Sequence, residues 1–417
     1  MLGEISALIT TIFLLIILSY YLLLFLPIKK GKTGKKIRSM LVAVPARNEQ
    51  SRIGMTLNSI FAAEFDGKKR VIAIDDGSTD GTLKVLKTFK KNGLEIIRTQ
   101  HKGKAVALNI ALSKCKQDAF VVVDADSTIN SESLKYMAEI LGLEKIGAVT
   151  CVVKVKNRKT LIGMWLHLEQ IYNSLMRFLL AKVNANIVTP GPLGMYRTDA
   201  LKKINGFSTL GFSEYIDVTV RLVRAGYRVG FSEKSVSETI MPVSLRGFFS
   251  QRSRFARGMI NVFAKHLKPG RNLIDLYTLP LFLFAYIQAI VLGSITIFQI
   301  VSGYMTYFAS KGIFFSFHVT RFFIEWFSII GFAKWTLGAV VGITPLTFAV
   351  IVGILASLLS YPLFIIAILK FDKKIDLWHL IPFLFMFPFW LTIMTVYILN
   401  LPEVFRRKQK NIWEKIN

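Results

Sequence analysis

Two carboxylates one residue apart are the most informative chemical feature of this sequence. Asp124 and Asp126 follow the apolar run at residues 120–123, FVVV. Such a run is typical of a buried strand, and ligands of an open α/β sheet bind at the carboxyl ends of its strands. Two carboxylates there could hold Mg²⁺ or Mn²⁺, which could in turn hold a diphosphate. A strand followed by a polar turn gives the same pattern, so the pair alone does not establish a metal site.

Polar clusters follow two other strand-like runs at the same kind of position. The cluster at 45–49 (PARNE) follows residues 40–44, and the cluster at 75–78 (DDGS) follows residues 71–74. The carboxyl ends of parallel strands meet at one edge of a sheet, so these loops should converge with residues 124–127. Each cluster by itself is typical of a turn, but their joint placement favours a binding site.

The residue types in these loops suit a nucleotide. Asp75 and Asp76 could accept hydrogen bonds from a base or a ribose. Arg47, Lys102 and Lys104 could meet the negative charge of a phosphate.

Elements that alternate between strand and helix must position these residues. Further strand-like runs occur at 94–97 and 148–153, and helix-like patterns occur at 52–63, at 105–114 and from residue 131. This alternation predicts an α/β domain with a mostly parallel, doubly wound sheet.

The composition places this domain in a membrane protein. The 417 residues are 53% hydrophobic, and the mean hydropathy is +0.47. Residues 6–28 carry no charge and are long enough to cross a bilayer. A cleaved signal peptide fits poorly, because the segment lacks a basic start and a small-residue cleavage site. Residues 276–400 are again mostly apolar, whereas 30–275 have the character of soluble sequence.

With the N-terminus outside and the C-terminus in the cytoplasm, as the basic residues beside the spans indicate, the chain needs an odd number of spans. The candidates are 6–28, 278–302, 313–336, 343–369 and 378–400. The third is the weakest, because Arg321, Glu325 and Lys334 interrupt it, and it could instead lie in the membrane interface.

The formal net charge of +27 is concentrated beside the spans. Basic residues occupy 29–38 after the first span and 406–410 after the last. This pattern follows the positive-inside rule and attracts anionic lipid, so we expect no nucleic-acid partner. It predicts an integral protein of the cell membrane whose catalytic domain and C-terminus are cytoplasmic. Cys115 and Cys151 in such a compartment give no reason to expect a disulfide.

Two segments have the pattern of amphipathic helices beside the membrane. Residues 160–183 and 245–267 carry apolar side chains at helical spacing, and the second also carries four arginines. For 160–183 an interfacial helix and a core helix of the soluble domain remain equally open, whereas 245–267 favours the interface. The expected organisation is 1–38 for the first span and basic linker, 39–240 for the soluble domain, 241–275 for the interfacial helix, and 276–417 for the remaining spans and tail.

Five motifs in order resemble those of a known family. They are PARNE at 45–49, DDGS at 75–78, GKAVALN at 103–109, DAD at 124–126 and QRSRF at 251–255. The sequence resembles the family 2 inverting glycosyltransferases, and within them the membrane-embedded processive synthases of hyaluronan, chitin, cellulose and poly-N-acetylglucosamine. The resemblance implies a GT-A-like, Rossmann-like domain inserted between transmembrane helices, with interfacial amphipathic helices.

The resemblance also implies roles for individual residues. Asp75 and Asp76 would contact the nucleoside, and Asp126 would be the main ligand, with Asp124, of a metal that bridges the diphosphate. The implied nucleotide-sugar-binding positions are Pro45, Arg47, Glu49, Asp75, Asp76, Lys104, Asp124, Gln251 and Arg254.

The acceptor side is implied by a glycine-rich loop and an aromatic residue. Gly191 and Gly194 lie in residues 189–197, where backbone could approach a sugar closely. Phe255 replaces the tryptophan of the family's Gln-x-x-Arg-Trp motif. It keeps a stacking face but lacks the indole N–H donor.

The position of the general base departs from the family pattern. The family uses the Asp of a Glu-Asp pair that opens a helix, and the matching stretch here places Tyr215 after Glu214. A phenol, with an ordinary pKa near 10, is a poor base at neutral pH. Three explanations stay open: an inactivated site, Glu214 or Asp217 as a substitute base, or a different acceptor chemistry or register. Asp217 is also expected to pair with Arg221 at i,i+4.

These features predict a hexosyltransferase that uses a nucleotide sugar, with UDP-linked donors favoured, and Mg²⁺ or Mn²⁺. It would extend a β-linked polysaccharide and pass it across the membrane. Transfer of one sugar to a lipid, or binding without catalysis, are the alternatives.

Overall fold

The structure is a computed structural model that describes residues 2–28, 31–209, 211, 213–312 and 316–402. The basic cluster predicted at 406–410 and the first two residues of the cluster at 29–38 lie outside these ranges.

A single mixed sheet forms the centre of the soluble domain. Within the described residues its strands are β1 (Ser39–Ala46), β2 (Lys68–Asp75), β3 (Leu94–Arg98), β4 (Ala119–Val122), β5 (Ser127–Ile129), β6 (Ile146–Val155), β7 (Gly194–Arg197) and β8 (Arg228–Thr239). Their order across the sheet is β3-β2-β1-β4-β7-β6-β8-β5. The half from β3 to β4 is parallel, β7 runs antiparallel to both of its neighbours, and β6 is parallel to β8.

Helices cover both faces of this sheet and continue into the apolar C-terminal region. They are α1 (Leu2–Phe25), α2 (Ile53–Ala62), α3 (Thr82–Thr88), α4 (Lys104–Ser113), α5 (Ser133–Leu141), α6 (Leu161–Lys182), α7 (Thr198–Lys203), α8 (Glu214–Arg224), α9 (Leu245–His266), α10 (Leu279–Lys311), α11 (Phe317–Phe327), α12 (Ile329–Val340), α13 (Phe348–Phe371), α14 (Leu377–Leu384) and α15 (Met386–Leu399).

The sheet core follows from alternation along the central strands. In β1, Met40, Val42 and Val44 pack into one core layer, while Leu41 and Ala43 pack into the other. All five side chains are fully buried. Helices on both faces thus require strands that are apolar on both sides, which explains why β1 and β4 are continuous apolar runs.

The predicted α/β fold is confirmed, and the predicted strands correspond to β1, β2, β3, β4 and β6. Strands β5, β7 and β8 are not among the strands predicted from the sequence. The reason is local: β7 has four residues at the end of a glycine- and proline-containing loop, and β8 carries polar residues along most of its length.

Long apolar helices flank the domain. Gly3–Phe25, Ile274–Lys311 and Phe348–Phe371 are each long and apolar enough to cross a membrane. Two further pairs are bent, by 84° between α11 and α12 and by 61° between α14 and α15. By length and composition, the described residues therefore contain three to five candidate spans. The bend of 84° falls in the segment predicted to be weakest, where Glu325 pairs with Arg321 at 2.8 Å and Lys334 at 2.7 Å.

The two amphipathic helices connect the sheet to the apolar helices. Helix α6 contributes Leu175 and Leu179 to a core cluster that also contains Leu363 and Ala367 of α13. It is therefore packed between the sheet and the apolar helices rather than exposed along one face. Helix α9 packs against α8, α10 and α15, and it keeps the side chain of Phe255 42% exposed.

Candidate functional site

The centre of the site is an ion pair between the loop after β4 and the start of α4. Lys104 Nζ lies 2.5 Å from Asp124 Oδ1. The same oxygen accepts a hydrogen bond of 3.2 Å from the hydroxyl of Tyr215, and the ammonium lies 4.8 Å from the centre of the Tyr215 ring. Oδ1 of Asp124 thus contacts both Lys104, at the start of α4, and Tyr215, at the start of α8.

Gly191 permits this close approach. A Cβ atom at this position would lie 2.5 Å from Asp124 Oδ2 and 2.6 Å from the nearest ring carbon of Tyr215. Its carbonyl oxygen also accepts the backbone N–H of Asp124 at 3.2 Å. A side chain here would collide with both neighbours, so the glycine is required by space. Gly194, at the start of β7, borders the ring of Tyr196 instead.

Asp126 lies among hydroxyl groups. Its Oδ1 accepts from Ser127 Oγ at 3.2 Å and from Thr239 Oγ1 at 3.4 Å. Carboxylates and hydroxyls are hard oxygen ligands of the type that Mg²⁺ and Mn²⁺ prefer. The donor set at Asp124 and Asp126 therefore fits a divalent metal, and Lys104 donates to Asp124 within it.

The aspartates after β2 have different environments. Asp75 is fully buried and accepts the backbone N–H of Ser78 at 3.0 Å. Its Oδ2 is buried without a hydrogen-bond donor, and Arg98 Nε lies 3.6 Å away. Such an unsatisfied acceptor in a strand-end loop is the feature expected where a base or ribose binds.

Asp76 instead anchors the loop that leads into α4. It accepts hydrogen bonds from Thr99 Oγ1 at 2.5 Å and from the backbone N–H groups of Lys102 and Gly103 at 2.8 Å each. Direct contact with a nucleoside was the prediction, but these bonds already use most of its acceptor capacity. These bonds show that Asp76 stabilises the turn that precedes Lys104.

The first strand-end cluster packs beside this loop. Pro45 lies in β1, opposite Ile74 of β2. The backbone N–H of Glu49 donates to Thr82 Oγ1 at 2.7 Å, and the Glu49 side chain is 1% exposed. Arg47 follows β1 directly and is partly exposed. Pro45, Arg47 and Glu49 thus lie at the carboxyl end of β1, the sheet edge at which the sequence predicts them.

Helix α9 borders the site next to Glu214. The charge of Arg254 acts on the carboxylate of Glu214, together with the charges of Lys104 and Asp124. Gln251 Nε2 contacts Met241 Sδ at 3.3 Å, and Gln251 Oε1 is buried without a hydrogen-bond donor. The guanidinium of Arg254 lies 5.7 Å from the ring centre of Phe255.

The three residues predicted around the base position differ in their ionisation. Burial raises the carboxyl pKa of Glu214, while the charges of Lys104 and Arg254 oppose the shift. Burial and the nearby charges of Asp124 and Glu214 raise the phenol pKa of Tyr215 well above its usual value. At neutral pH the phenol is therefore protonated, and Glu214 is the carboxylate whose pKa moves toward the range that suits a general base.

Asp217 is directed away from this centre. Its carboxylate contacts Arg221 NH2 at 2.6 Å, the ammonium of Lys265, and His266 Nε2 at 2.9 Å. Burial opposes ionisation, but the hydrogen bonds from His266 and Lys265 and the charge of Arg221 outweigh it and hold the carboxyl pKa well below its usual range. The i,i+4 contact expected with Arg221 is present, and the geometry favours a structural role over that of a base.

A chain of hydroxyl groups supports the start of α8, and the sequence did not reveal it. Thr189 Oγ1 lies 2.7 Å from Tyr196 Oη and 2.6 Å from Thr219 Oγ1. Thr219 Oγ1 in turn donates to the carbonyl of Tyr215 at 2.6 Å. Thr189 and Tyr196 lie within residues 189–197, and Tyr215 and Thr219 lie one helical turn apart in α8, but only the fold brings the two pairs together.

A second cluster of ligand-type residues lies where α6 meets the end of α13 and the start of α14. His167 and His379 approach Asp372 Oδ2 through Nε2 at 2.7 and 2.8 Å, and Lys154 Nζ lies 2.6 Å from Asp372 Oδ1. The Nδ1 atom of His167 lies 3.3 Å from the backbone nitrogen of Val155, and that of His379 lies 3.2 Å from the backbone nitrogen of Asp376. Asp372 is thus the centre of a network of hydrogen bonds and ion pairs that joins α6 to the end of α13 and the start of α14.

The fold and this site define a family. The sequence profile described as "Glycosyltransferase like family 2" matches residues 38–258, more than half of the chain, and the chain belongs to that family.

Individual relatives are more distant. The poly-beta-1,6-N-acetyl-D-glucosamine synthase of Staphylococcus aureus strain COL is 28% identical over 220 residues, which cover 51% of this chain and 52% of that protein. The synthase of the same name from Staphylococcus epidermidis is 28% identical over 269 residues, 62% of each chain. The chain thus spans about half the length of the first of these relatives.

A solved structure agrees with the fold over a longer stretch. Mannosyltransferase PcManGT from Pyrobaculum calidifontis, in complex with GDP-Man and Mn²⁺, has a TM-score of 0.59 and 21% identity. The match covers 90% of this chain and 100% of that one. It confirms the predicted GT-A-like architecture.

Proposed function

We propose that this chain is an inverting hexosyltransferase, integrated in the cell membrane, that uses a nucleotide sugar and Mg²⁺ or Mn²⁺ to extend a β-linked polysaccharide and pass it across the bilayer. The observation that carries the proposal is the convergence of Lys104, Asp124, Asp126 and Glu214 at the carboxyl edge of the sheet in a member of this family. The catalytic domain and the C-terminus would face the cytoplasm.

The donor would lie across the strand-end loops. The unsatisfied Oδ2 of Asp75 would accept a hydrogen bond from the nucleoside, while Lys104 and Arg254 would meet the diphosphate charge. Asp126 and Asp124 would hold the divalent metal, which neutralises charge on the diphosphate when bound. Fixed positive groups at the site of developing charge favour departure of the nucleoside diphosphate.

Glu214 is the residue that we assign as general base. It would accept the proton of the acceptor hydroxyl as that oxygen attacks the anomeric carbon and the nucleoside diphosphate leaves. Its raised carboxyl pKa supports this role, because a base works best when its pKa approaches the operating pH. The protonated phenol of Tyr215 and the cation-bound carboxylate of Asp217 are less suited to it.

The acceptor would approach from the side of Gly191 and Phe255. Gly191 packs against Asp124 and Tyr215, and the partly exposed ring of Phe255 offers a face on which a sugar could stack. The relatives' name, a poly-N-acetylglucosamine synthase, makes UDP-N-acetylglucosamine the first donor to test. GDP-mannose belongs in the same panel because PcManGT was solved with it.

The test is product formation by the purified full chain in lipid vesicles, with each nucleotide sugar and either metal. A ladder of elongating products on a gel is the expected result. A single sugar on a lipid would support the alternative of lipid-linked transfer. Absence of product with every donor and metal would contradict the enzymatic proposal.

Tyr215 favours a second candidate function, that of a homologue that binds donor or glycan with little turnover. Its phenol occupies the position where the family has its catalytic Asp, and it contacts Asp124 at 3.2 Å. Donor binding without product in the vesicle assay would be the outcome that supports this candidate.

A further inference from the structure

A buried ion pair lies at the junction of three helices near the site. Glu169 of α6 accepts two hydrogen bonds from Arg252 of α9, one of 2.7 Å between NH1 and Oε1 and a second between NH2 and Oε2. The two residues are 8% and 9% exposed. Such a two-bonded pair between planar groups fixes direction as well as distance.

Aromatic rings enclose the guanidinium group. The Cζ atom of Arg252 lies 5.1 Å from the ring centre of Phe248, 5.8 Å from that of Phe255 and 5.7 Å from that of Phe389 on α15. Arginine stacks well on aromatic faces, and exclusion of water strengthens both the stacking and the ion pair. The side chain therefore has little freedom to turn.

Arg252 lies on nearly the opposite side of α9 from Arg254, whose charge acts on Glu214. Gln251, Arg254 and Phe255 share one helical face because they are three and four residues apart. Arg252 precedes Arg254 by two positions, which is about 200° of helical rotation. The ring of Phe255 lies between the two guanidinium groups, 5.8 Å from Arg252 and 5.7 Å from Arg254.

The neighbouring residue adds a second attachment on this side of the helix. Asn400, which follows α15, donates to Ser253 Oγ at 3.1 Å. A rotation of α9 that moved Arg254 away from Glu214 would therefore break this bond and both bonds to Glu169. The angular position of Arg254 around α9 therefore depends on the contacts that Arg252 and Ser253 make with Glu169 and Asn400.

We propose that Glu169 and Arg252 are positioning residues that fix the rotation of α9, so that Arg254 and Gln251 meet the donor diphosphate. This inference rests on the proposed function. It assigns the pair no contact with substrate. Its effect passes through Arg254 and should be largest when the diphosphate gains charge as it departs.

The main test replaces both partners by apolar residues of similar size, Glu169→Leu with Arg252→Met. Removal of one partner alone leaves a buried charge and risks misfolding, whereas an apolar pair of similar volume commonly preserves stability. We expect kcat to fall by about 100-fold, the order found when a reacting geometry shifts by about 1 Å. The KM for the nucleotide sugar should change by less than about threefold, because Asp75 and Lys104 lie on other elements.

Two further variants separate positioning from packing. Arg252→Lys keeps the charge but loses the planar fork, and we expect about a tenfold fall in kcat. The control is Arg70→Met with Glu95→Leu, which removes a two-bonded pair of the same chemistry that is exposed and joins β2 to β3. The control should leave kcat unchanged. A folded Glu169→Leu, Arg252→Met chain with a kcat within threefold of the unaltered chain would overturn the proposal.

Hydrogen exchange of the α9 backbone amides provides a readout without catalysis. We expect these amides to exchange faster in the Glu169→Leu, Arg252→Met variant than in the unaltered chain. The Arg70→Met, Glu95→Leu control should exchange at the rate of the unaltered chain. If the unaltered chain makes no product, the proposed function fails and this measurement still decides the positioning role. Equal exchange in the double variant and the unaltered chain would contradict it.

Discussion

Tyr215 donates a hydrogen bond to Asp124 across 3.2 Å, and so the residue at the expected base position is bonded to a residue expected to bind metal. The contact joins the acceptor half of the site to the donor half. It also places the phenol ring against Gly191, a residue expected on the acceptor side. Activity of this chain therefore requires that an acceptor bind and react while the Tyr215 ring occupies this position.

Replacement of Tyr215 by Asp should increase turnover. A carboxylate would then stand at the family's base position, and the adjacent charge of Asp124 would raise its pKa toward neutral pH. General-base catalysis contributes about 10²–10⁴-fold, so we expect a gain of at least about tenfold in product formation with the best donor. Tyr215→Phe is the matched control, because it removes only the hydroxyl. An equal gain with Phe would show that loss of the hydrogen bond to Asp124, rather than a new base, is responsible.

Replacement of Glu214 by Gln should abolish turnover by the unaltered chain. The amide has nearly the same shape but cannot accept the acceptor's proton, and the expected fall in kcat is about 10²–10⁴-fold. Donor binding, measured by calorimetry, should persist. Residual activity of more than about a tenth would exclude Glu214 as the base.

The pH profile gives an independent view of Glu214. The reaction requires the ionised carboxylate, so kcat/KM should rise with pH through the pKa of this group. Burial raises that pKa, and the rise should therefore occur above the ordinary glutamate value of about 4.3. Glu214→Asp should retain the rising limb, whereas a profile that is flat from pH 4 to pH 8 would contradict the assignment.

Much of the donor site could be predicted because parallel strands bring distant motifs to one edge. Asp124, Asp75 and Lys104 each follow a local pattern, and the sheet order explains their convergence. The unpredicted parts depend on contacts without a local signal. Asp217 meets Lys265 and His266, which follow it by 48 and 49 residues.

The same limit applies to the helix junction and to the sheet. Arg252 lies 83 residues from Glu169, so no helical spacing could have indicated their pairing. The antiparallel strand β7 is not predicted from the sequence, because it has only four residues and follows a glycine-rich loop. Its register is set by its pairing with β4 and β6. Tertiary context rather than local preference decides such elements.

Asp217 should matter for stability rather than for chemistry. Its carboxylate is 5% exposed and bonds to Arg221 and His266, so Asp217→Asn should lower the free energy of unfolding by about 3 kcal/mol. Denaturant unfolding of the detergent-solubilised chain measures this. Glu95→Gln, in the exposed pair with Arg70, should cost less than about 1 kcal/mol.

The pH dependence of this contribution has a definite sign. The folded-state pKa of Asp217 is held below its unfolded value, so the stabilisation is complete above the unfolded pKa of about 3.9 and is lost as the pH falls below it. The unaltered chain should therefore lose more stability than Asp217→Asn between pH 5 and pH 3. Parallel losses in the two proteins would show that Asp217 is not the group responsible.

Removal of Asp126 should uncouple donor binding from the metal. Asp124 is held by Lys104 at 2.5 Å, and the carboxylate of Asp126 accepts hydrogen bonds from the hydroxyl groups of Ser127 and Thr239. We expect Asp126, the main ligand implied by the resemblance to the family, to supply the larger share of metal affinity. We expect the unaltered chain to bind a nucleoside diphosphate at least about tenfold more tightly with Mn²⁺ than without it, a difference in binding free energy of about 1.4 kcal/mol. Asp126→Ala should bind the same nucleoside diphosphate equally well with and without Mn²⁺. Asp66→Ala, at an exposed loop position, is the control and should retain the full response to Mn²⁺. If Asp126→Ala also retains it, the metal must bind elsewhere, because Asp124 alone, already neutralised by Lys104, presents too little charge to replace the lost carboxylate.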